Sequence, residues 1–186
     1  CATGFMGECL IKEKKCKVYG VDSRAAEIKI AKRKLNGVFE VDIEEDRAFE
    51  KIIENFNNDK FDVILATSVI EHLKNQSSFL KNCKKLLKPK GIIIASTPNI
   101  AHWTMRLSLL RGNFDYSEYG ILDNTHFHFF TIKTFRQLFE KNKYIVKELL
   151  IDPVGGGYPK ISRVLAKWFP TIFAYQILIV AQSNAY

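Results

Sequence analysis

Apolar positions in the first hundred residues follow two alternating periods. KVYGVD (17–22) predicts a short strand closing on an acid. From Ser23 to Leu35, the residues Ala25, Ile28, Ala31 and Leu35 keep helical spacing, with Ser23 at the expected N-cap. VFEVDI (38–43) predicts a second strand, and Phe49, Ile52, Ile53 and Phe56 share one face of the helix after it. FDVILAT (61–67) predicts a buried strand. Phe79, Leu80, Cys83, Leu86 and Leu87 mark a further amphipathic helix, stopped by Pro89 and Gly91. GIIIAST (91–97) is apolar through its centre, as expected of a strand covered on both faces. Strands alternating with helices in this way imply right-handed crossovers and an α/β fold of three layers, a mostly parallel sheet between helices.

The rhythm changes after Asn99. Ile100 to Leu110 carries a helical pattern, and RGNFDYSEYGILDNT (111–125) is polar and contains glycine. Thr131 to Asn142 predicts a helix with Phe135, Leu138 and Phe139 inward, and Tyr144 to Ile151 a strand. A Pro/Gly-rich excursion (153–170) precedes a final strand at 171–181. With no internal repeat or linker, the expected organisation is one domain over 1–186, decorated at 100–125 and 153–170.

Composition sharpens this only slightly. The 186 residues are 47% hydrophobic and 26% charged, a globular mixture that excludes a disordered chain. No apolar run approaches the roughly 20 residues of a spanning helix, and no secretory signal is visible. Cys1, Cys9, Cys16 and Cys83 form no C-x-x-C spacing, so the expectation is reduced thiols in a cytoplasmic protein. The net charge of +8, mostly lysine, suits anionic partners without choosing among them.

The chemistry starts at the first residues. CATGFMG is a glycine turn with no strand ahead of it; such turns are launched from a strand, so the natural domain is expected to carry one more strand upstream. Gly4 lets backbone pass close to a ligand. Asp22, 18 residues later, closes the next predicted strand, where a carboxylate accepts from ribose hydroxyls or caps the following helix. Asp42 closes the strand after that, placed either for an adenine amino group or as a solvated acid opening DIEED (42–46).

These residues resemble a class I S-adenosylmethionine-dependent methyltransferase, in the branch of the ubiquinone-pathway O-methyltransferases. CATG resembles the tail of the family's glycine motif, with Ala2 in place of a usual glycine, tolerable if its φ is negative. FDVILATSVIEHL (61–73) followed by LLKPKGIIIASTPN (86–99) resembles the family's fourth and fifth strands. The resemblance extends to about residue 182 and implies a Rossmann-like sheet with an antiparallel closing strand. It implies S-adenosyl-L-methionine as cofactor, held by Ala2, Gly4, Asp22, Ser23, Asp42, Ile43 and Thr67. The competing reading of A-T-G-F-M-G is a dinucleotide turn of an NAD(P)-binding oxidoreductase, but no tyrosine is followed by lysine at the Tyr-x-x-x-Lys spacing. A non-catalytic cofactor-binding protein is a further alternative.

Transfer to a hydroxyl is helped by a general base, for which His72 and His126 are the candidates. His102 and His128 read as structural imidazoles. Phe127, Phe129 and Phe130 are expected to pack beneath the strand ends and hold the histidines. Related enzymes carry Glu-x-x-Glu-His with a divalent metal. Here Ser68 replaces the first acid ahead of Glu71 and His72, so no metal is expected, although Glu71, His72 and His126 are the set that would hold one. The 100–125 segment is expected to form a lid, with Trp103, Met105, Leu109, Phe114, Tyr116 and Tyr119 offering apolar surface and Arg106 and Arg111 anion contacts. The Thr125-His126 to Phe129-Phe130-Thr131 pattern resembles a branch linked to surface-glycan and lipid-linked sugar pathways. The expected acceptor is therefore a saccharide, a lipid-linked group or another small molecule, with an RNA 2′-hydroxyl as the alternative and nucleic acid otherwise not a partner. Lys160 to Phe169 is basic and amphipathic, which would allow peripheral contact at the cytoplasmic face of a membrane.

Overall fold

The computed structural model describes residues 1–57, 59–153 and 159–184, with backbone only for 159–162. It divides into two compact units, Cys1–Asp59 and Lys60–Tyr186.

The first unit runs α1 (Phe5–Lys14), β1 (Tyr19–Asp22), α2 (Ala25–Ala31), β2 (Gly37–Glu40) and α3 (Ala48–Asn55). β1 and β2 pair in parallel, Tyr19 opposite Gly37 and Asp22 opposite Glu40. Ile28, Ala31, Ala48, Phe49 and Ile52 are buried. Phe56, just past α3, wedges its ring edge-on between Tyr19 and Phe39, with centroids at 5.0 and 4.7 Å. Two expectations are corrected here. Ser23 is exposed and does not cap α2; Arg24 takes the N-cap without a side-chain bond. The reason is that the Arg24 N–H already donates to Asp22 Oδ1 at 3.1 Å, so the acid closes the turn. The second strand stops at Glu40, so Asp42 and Ile43 lie beyond it. Asp42 is exposed and accepts the Glu44 N–H at 3.0 Å, closing its own turn.

The second unit carries β3 (Phe61–Thr67), a 3₁₀ turn (Ile70–His72), α4 (Gln76–Leu86), β4 (Leu87–Pro98), α5 (Trp103–Leu110), α6 (Ile132–Lys141), β5 (Tyr144–Asp152), α7 (Pro159–Trp168), α8 (Pro170–Phe173) and β6 (Gln176–Ser183). The strand order is β3-β4-β6-β5. β3 and β4 are parallel, while β6 runs antiparallel to both β4 and β5. The core is made by Ile93, Ala95, Ile177, Ile179 and Ala181 of the central strands with Leu80, Phe135 and Phe139 of α4 and α6. α6 starts sharply because Thr131 and Thr134 form a reciprocal capping box.

Three sequence expectations fail in this unit. FDVILAT is not a buried strand: Val63 and Leu65 are 43% and 39% exposed, and among the described residues β3 pairs only with β4. An apolar run does not say which strand lies at an edge. α4 ends at Leu86, ahead of Pro89, and the strand begins at once at Leu87. The final strand begins at Gln176 instead of 171, because Pro170 opens the short helix α8. The buried Asn99 at the end of β4 holds that helix, donating from Nδ2 to Ala174 O at 2.8 Å and Thr171 O at 3.1 Å.

Candidate active site

In the first unit the site is the opening turn and its acid. Gly4 is the N-cap of α1 at φ +73°, a conformation that favours glycine. A Cβ there would lie 3.2 Å from the Ala31 Cα, so the turn is pressed against α2. Ala2 departs from expectation: its φ is +46°, the left-handed region that an alanine enters only at a cost. The Ala2 N–H donates to Asp22 Oδ2 at 2.7 Å and holds it there. The same oxygen accepts from the Cys1 nitrogen at 2.6 Å, and Oδ1 takes the Arg24 N–H. Burial opposes ionisation of Asp22, but these donors outweigh it and hold the carboxyl well below the usual carboxylate range. Thr67 ends β3 in the other unit and is half-buried.

In the second unit the structure brings His72 and His126 together, 54 residues apart in sequence, with ring centroids 4.7 Å apart and planes at 63°. The carbonyl of Glu71, in the 3₁₀ turn, makes this junction. It accepts from Phe127 N at 2.9 Å and His128 N at 3.1 Å. The end of β4 is tied to the same segment, Ile100 N donating to Phe130 O at 2.9 Å. Each histidine has its Nδ1 against main chain, His72 at 3.3 Å from Thr125 O and His126 at 3.1 Å from Ile121 O. A carbonyl only accepts, so His126 Nδ1 carries the proton and its Nε2 keeps a lone pair, whereas His72 Nδ1 also meets the Thr125 hydroxyl at 3.1 Å. Burial, with the His72 charge adding to it, keeps His126 below the usual imidazole range despite the Ile121 bond.

Glu71 lies beside them, 1% exposed, and both its carboxylate oxygens lack a hydrogen-bond partner. Burial pushes its carboxyl up to about 7. One ligand atom from each of Glu71, His72 and His126 can be chosen so that all lie within 4.8 Å of one another. Two imidazole nitrogens and one carboxylate, with both rings backed by carbonyls, fit a borderline divalent cation such as zinc better than magnesium. The orphaned Glu71 oxygens are the observation that supports this fit.

The remaining assignments sort clearly. His102 is fully buried, with Nδ1 at 2.7 Å from the Thr104 hydroxyl, at the N-cap of α5. Of the three phenylalanines, Phe130 is buried against Phe135, and Phe129 lies edge-on to His126 at 6.1 Å. Phe127 is 58% exposed and supports neither histidine from beneath. Within the 100–125 segment, Met105, Ile121 and Leu122 form a small core, with Ile100, Phe129 and Tyr175 packed against it. Phe114 and Tyr116 stand exposed beside Phe129, with centroids at 6.1 and 6.4 Å. Arg106 is less available for an anion than expected, because its Nε donates to Ala101 O at 2.7 Å. Asp123 and Thr125, which sequence reasoning left without a role, adjoin the histidine pair. The DNTH spacing, with an acid two residues before a hydroxyl, was their only signal.

A family model described as a methyltransferase domain matches residues 1–148. The chain belongs to that methyltransferase family. The match selects the methyltransferase reading over the nicotinamide oxidoreductase. Among curated relatives, a ubiquinone biosynthesis O-methyltransferase of Rickettsia bellii is 30% identical over 118 residues, 54% of this chain and 49% of the relative. The matched part thus spans about half of that relative's length. Among solved structures, a methyltransferase from Methanosarcina mazei superposes with a TM-score of 0.68 at 15% identity, covering 100% of this chain and 90% of its own. N-methyltransferase NodS from Bradyrhizobium japonicum, in complex with S-adenosyl-L-homocysteine, superposes at 0.59 and 16% identity, covering 100% of this chain and 75% of its own. These similarities establish a Rossmann-like methyltransferase fold for the methyltransferase chain. Among the described residues no helix is long and apolar enough to cross a membrane.

Proposed function

We propose that the chain is an S-adenosylmethionine-dependent O-methyltransferase acting on a small-molecule hydroxyl, saccharide or lipid-linked. The observation that carries the reading is the histidine pair, each Nδ1 facing a main-chain carbonyl, with the Phe129 ring edge-on to His126. The cofactor supplies an activated sulfonium methyl, so the protein's work is alignment and removal of one proton. Asp22 would grip the ribose diol, and Gly4 would let the turn approach the cofactor. His126, kept neutral, would accept the acceptor's hydroxyl proton at Nε2 as the oxygen–methyl bond forms and the carbon–sulfur pair leaves with sulfur. An amine acceptor would need this base less, which is the argument for oxygen. Phe114, Tyr116 and Phe129 suit the apolar face of a ring.

The test is methyl transfer from labelled S-adenosylmethionine to a panel of phenols, glycans and polyprenyl-linked sugars. An O-methyl product from one class supports the reading. Cofactor binding with no transfer to any acceptor class would favour the non-catalytic alternative.

Glu71, His72 and His126 favour a second reading in which they hold a divalent cation that would polarise the acceptor oxygen. Zinc should then raise the melting temperature of the wild type and not of Glu71→Gln; an equal response of both would remove this reading.

Peripheral membrane contact is supported by α7, where Val164 and Trp168 are exposed next to Arg163 and Lys167. The side chains of Lys160, Ile161 and Ser162, part of the same sequence pattern, lie outside the described residues. Trp168→Ala with Lys167→Ala should reduce co-sedimentation with phosphatidylglycerol vesicles; unchanged binding would end that idea.

A further inference from the structure

We propose that Asp123 and Thr125 are positioning residues that lock His72 in the tautomer with its proton on Nδ1, so that Nε2 keeps the lone pair the site uses. The proposal rests on the histidine pair being the site of chemistry proposed above, but its readout does not depend on turnover. His72 Nδ1 meets two oxygens of one residue, Thr125 O at 3.3 Å and Thr125 Oγ1 at 3.1 Å. The carbonyl can only accept. The hydroxyl alone could do either, and a donating hydroxyl would favour the opposite tautomer.

Asp123 removes that freedom. Its Oδ1 accepts the Thr125 hydroxyl proton at 2.6 Å, which turns the hydroxyl lone pairs toward the ring. The Thr125 hydroxyl and N–H hold Asp123 below the usual carboxylate range, so it remains an acceptor. The same oxygen takes the Thr125 N–H at 2.8 Å, and the Asp123 carbonyl takes His126 N at 3.0 Å. A simple turn would need only the main-chain bond. The second, shorter bond to the hydroxyl has no role in closing the turn, and its consequence falls on His72. One loop, 121–126, therefore sets both rings: Thr125 orients His72, and the Ile121 carbonyl orients His126.

The experiment uses protein labelled with ¹⁵N-histidine, read by long-range ¹H–¹⁵N correlation at about pH 8.5, above the ordinary imidazole range. In the wild type His72 should show the Nδ1–H form in large excess. Thr125→Val removes the hydroxyl, keeps the shape and should lower that excess about fivefold, the worth of one net hydrogen bond. Asp123→Ala should act in the same direction, and Thr125→Ser should restore the wild-type ratio. The His126 signals should stay put in Thr125→Val, since the Ile121 carbonyl is untouched. Turnover should fall with the ratio while the KM for S-adenosylmethionine holds. Thr125 is exposed, so Thr125→Val is expected to fold, and its melting temperature checks this. A wild-type His72 in the Nε2–H form, or a ratio indifferent to Thr125→Val, overturns the proposal. If the ratio shifts as expected but His72→Ala turns over normally, the lock stands and the base reading above falls for His72.

Discussion

Asp22 and Glu71 are both acids at or just past the carboxyl end of a strand, and the chain treats them oppositely. Asp22 closes β1 and is met by nitrogen donors from Cys1, Ala2 and Arg24. Glu71 sits four residues past β3, sealed from solvent, with no donor on either oxygen. One is held ionised; the other is pushed up to about 7. The cause is local backbone. Two turns, at residues 1–4 and 22–24, aim their N–H groups at Asp22. The 3₁₀ turn that carries Glu71 spends its Glu71 carbonyl on the 127–128 segment, and its own N–H and the Thr97 hydroxyl are too weak to offset the burial of the side chain. The difference teaches that Asp22 is built to present a fixed charge, whereas Glu71 is left able to change state beside two imidazoles.

If binding lies with Asp22 and chemistry with the Glu71 neighbourhood, kinetics should separate them. The largest effect is expected from His126→Ala, a fall in kcat of about 10²–10⁴-fold with S-adenosylmethionine affinity unchanged. Because the His126 pKa is lowered, its basic form is already present below the usual imidazole midpoint. The wild-type kcat should therefore rise with its midpoint below about pH 6.5. A midpoint well above that value would contradict the assignment of His126 as base.

Next in size is the stability linked to Glu71. Burial pushes its carboxyl up to about 7 from an ordinary 4.5, so the folded state binds the proton more tightly. Stability from this group is full below about pH 4.5 and is lost as pH rises to 7, by about 3 kcal/mol in all. Denaturant melts across that range, in chelator, should show the loss in the wild type and a flatter profile in Glu71→Gln. Parallel profiles would mean that Glu71 finds a donor in solution.

Asp22→Ala comes third, weakening S-adenosylmethionine by about 1–3 kcal/mol in calorimetry while kcat at saturation changes little. A loss confined to kcat would reverse the assignments of the two acids.

The contrast also explains what was legible beforehand. Strand-helix alternation, the acid closing KVYGVD and the capped helix from Thr131 all follow from local periods and local donors, and a sequence carries these. The edge exposure of Val63 and Leu65, the burial of Glu71 and the meeting of His72 with His126 depend on which segments pair at long range, and a period carries no such information. The role of Thr125 was hidden for the same reason, since its partner ring lies 53 residues away. The late start of β6 does have a local signal, Pro170, which favours a first helical position.

The smallest effect tests whether Asp22 also braces the turn it touches. Ala2 holds φ +46°, which costs an alanine about 1–2 kcal/mol relative to glycine. Glycine in its place recovers that strain but gives the unfolded chain more freedom, at about 0.4–1 kcal/mol. Ala2→Gly should therefore stabilise the chain by no more than about 1.6 kcal/mol in denaturant melts. Gly4→Ala should do the reverse, because at φ +73° its Cβ would crowd the Ala31 backbone at 3.2 Å. In Asp22→Ala the bond that holds Ala2 in place is gone, and Ala2→Gly should then gain less than in the wild type. Equal gains in the two backgrounds would mean that the packing of Gly4 on α2 sets the turn, and that Asp22 is free to serve the ligand alone.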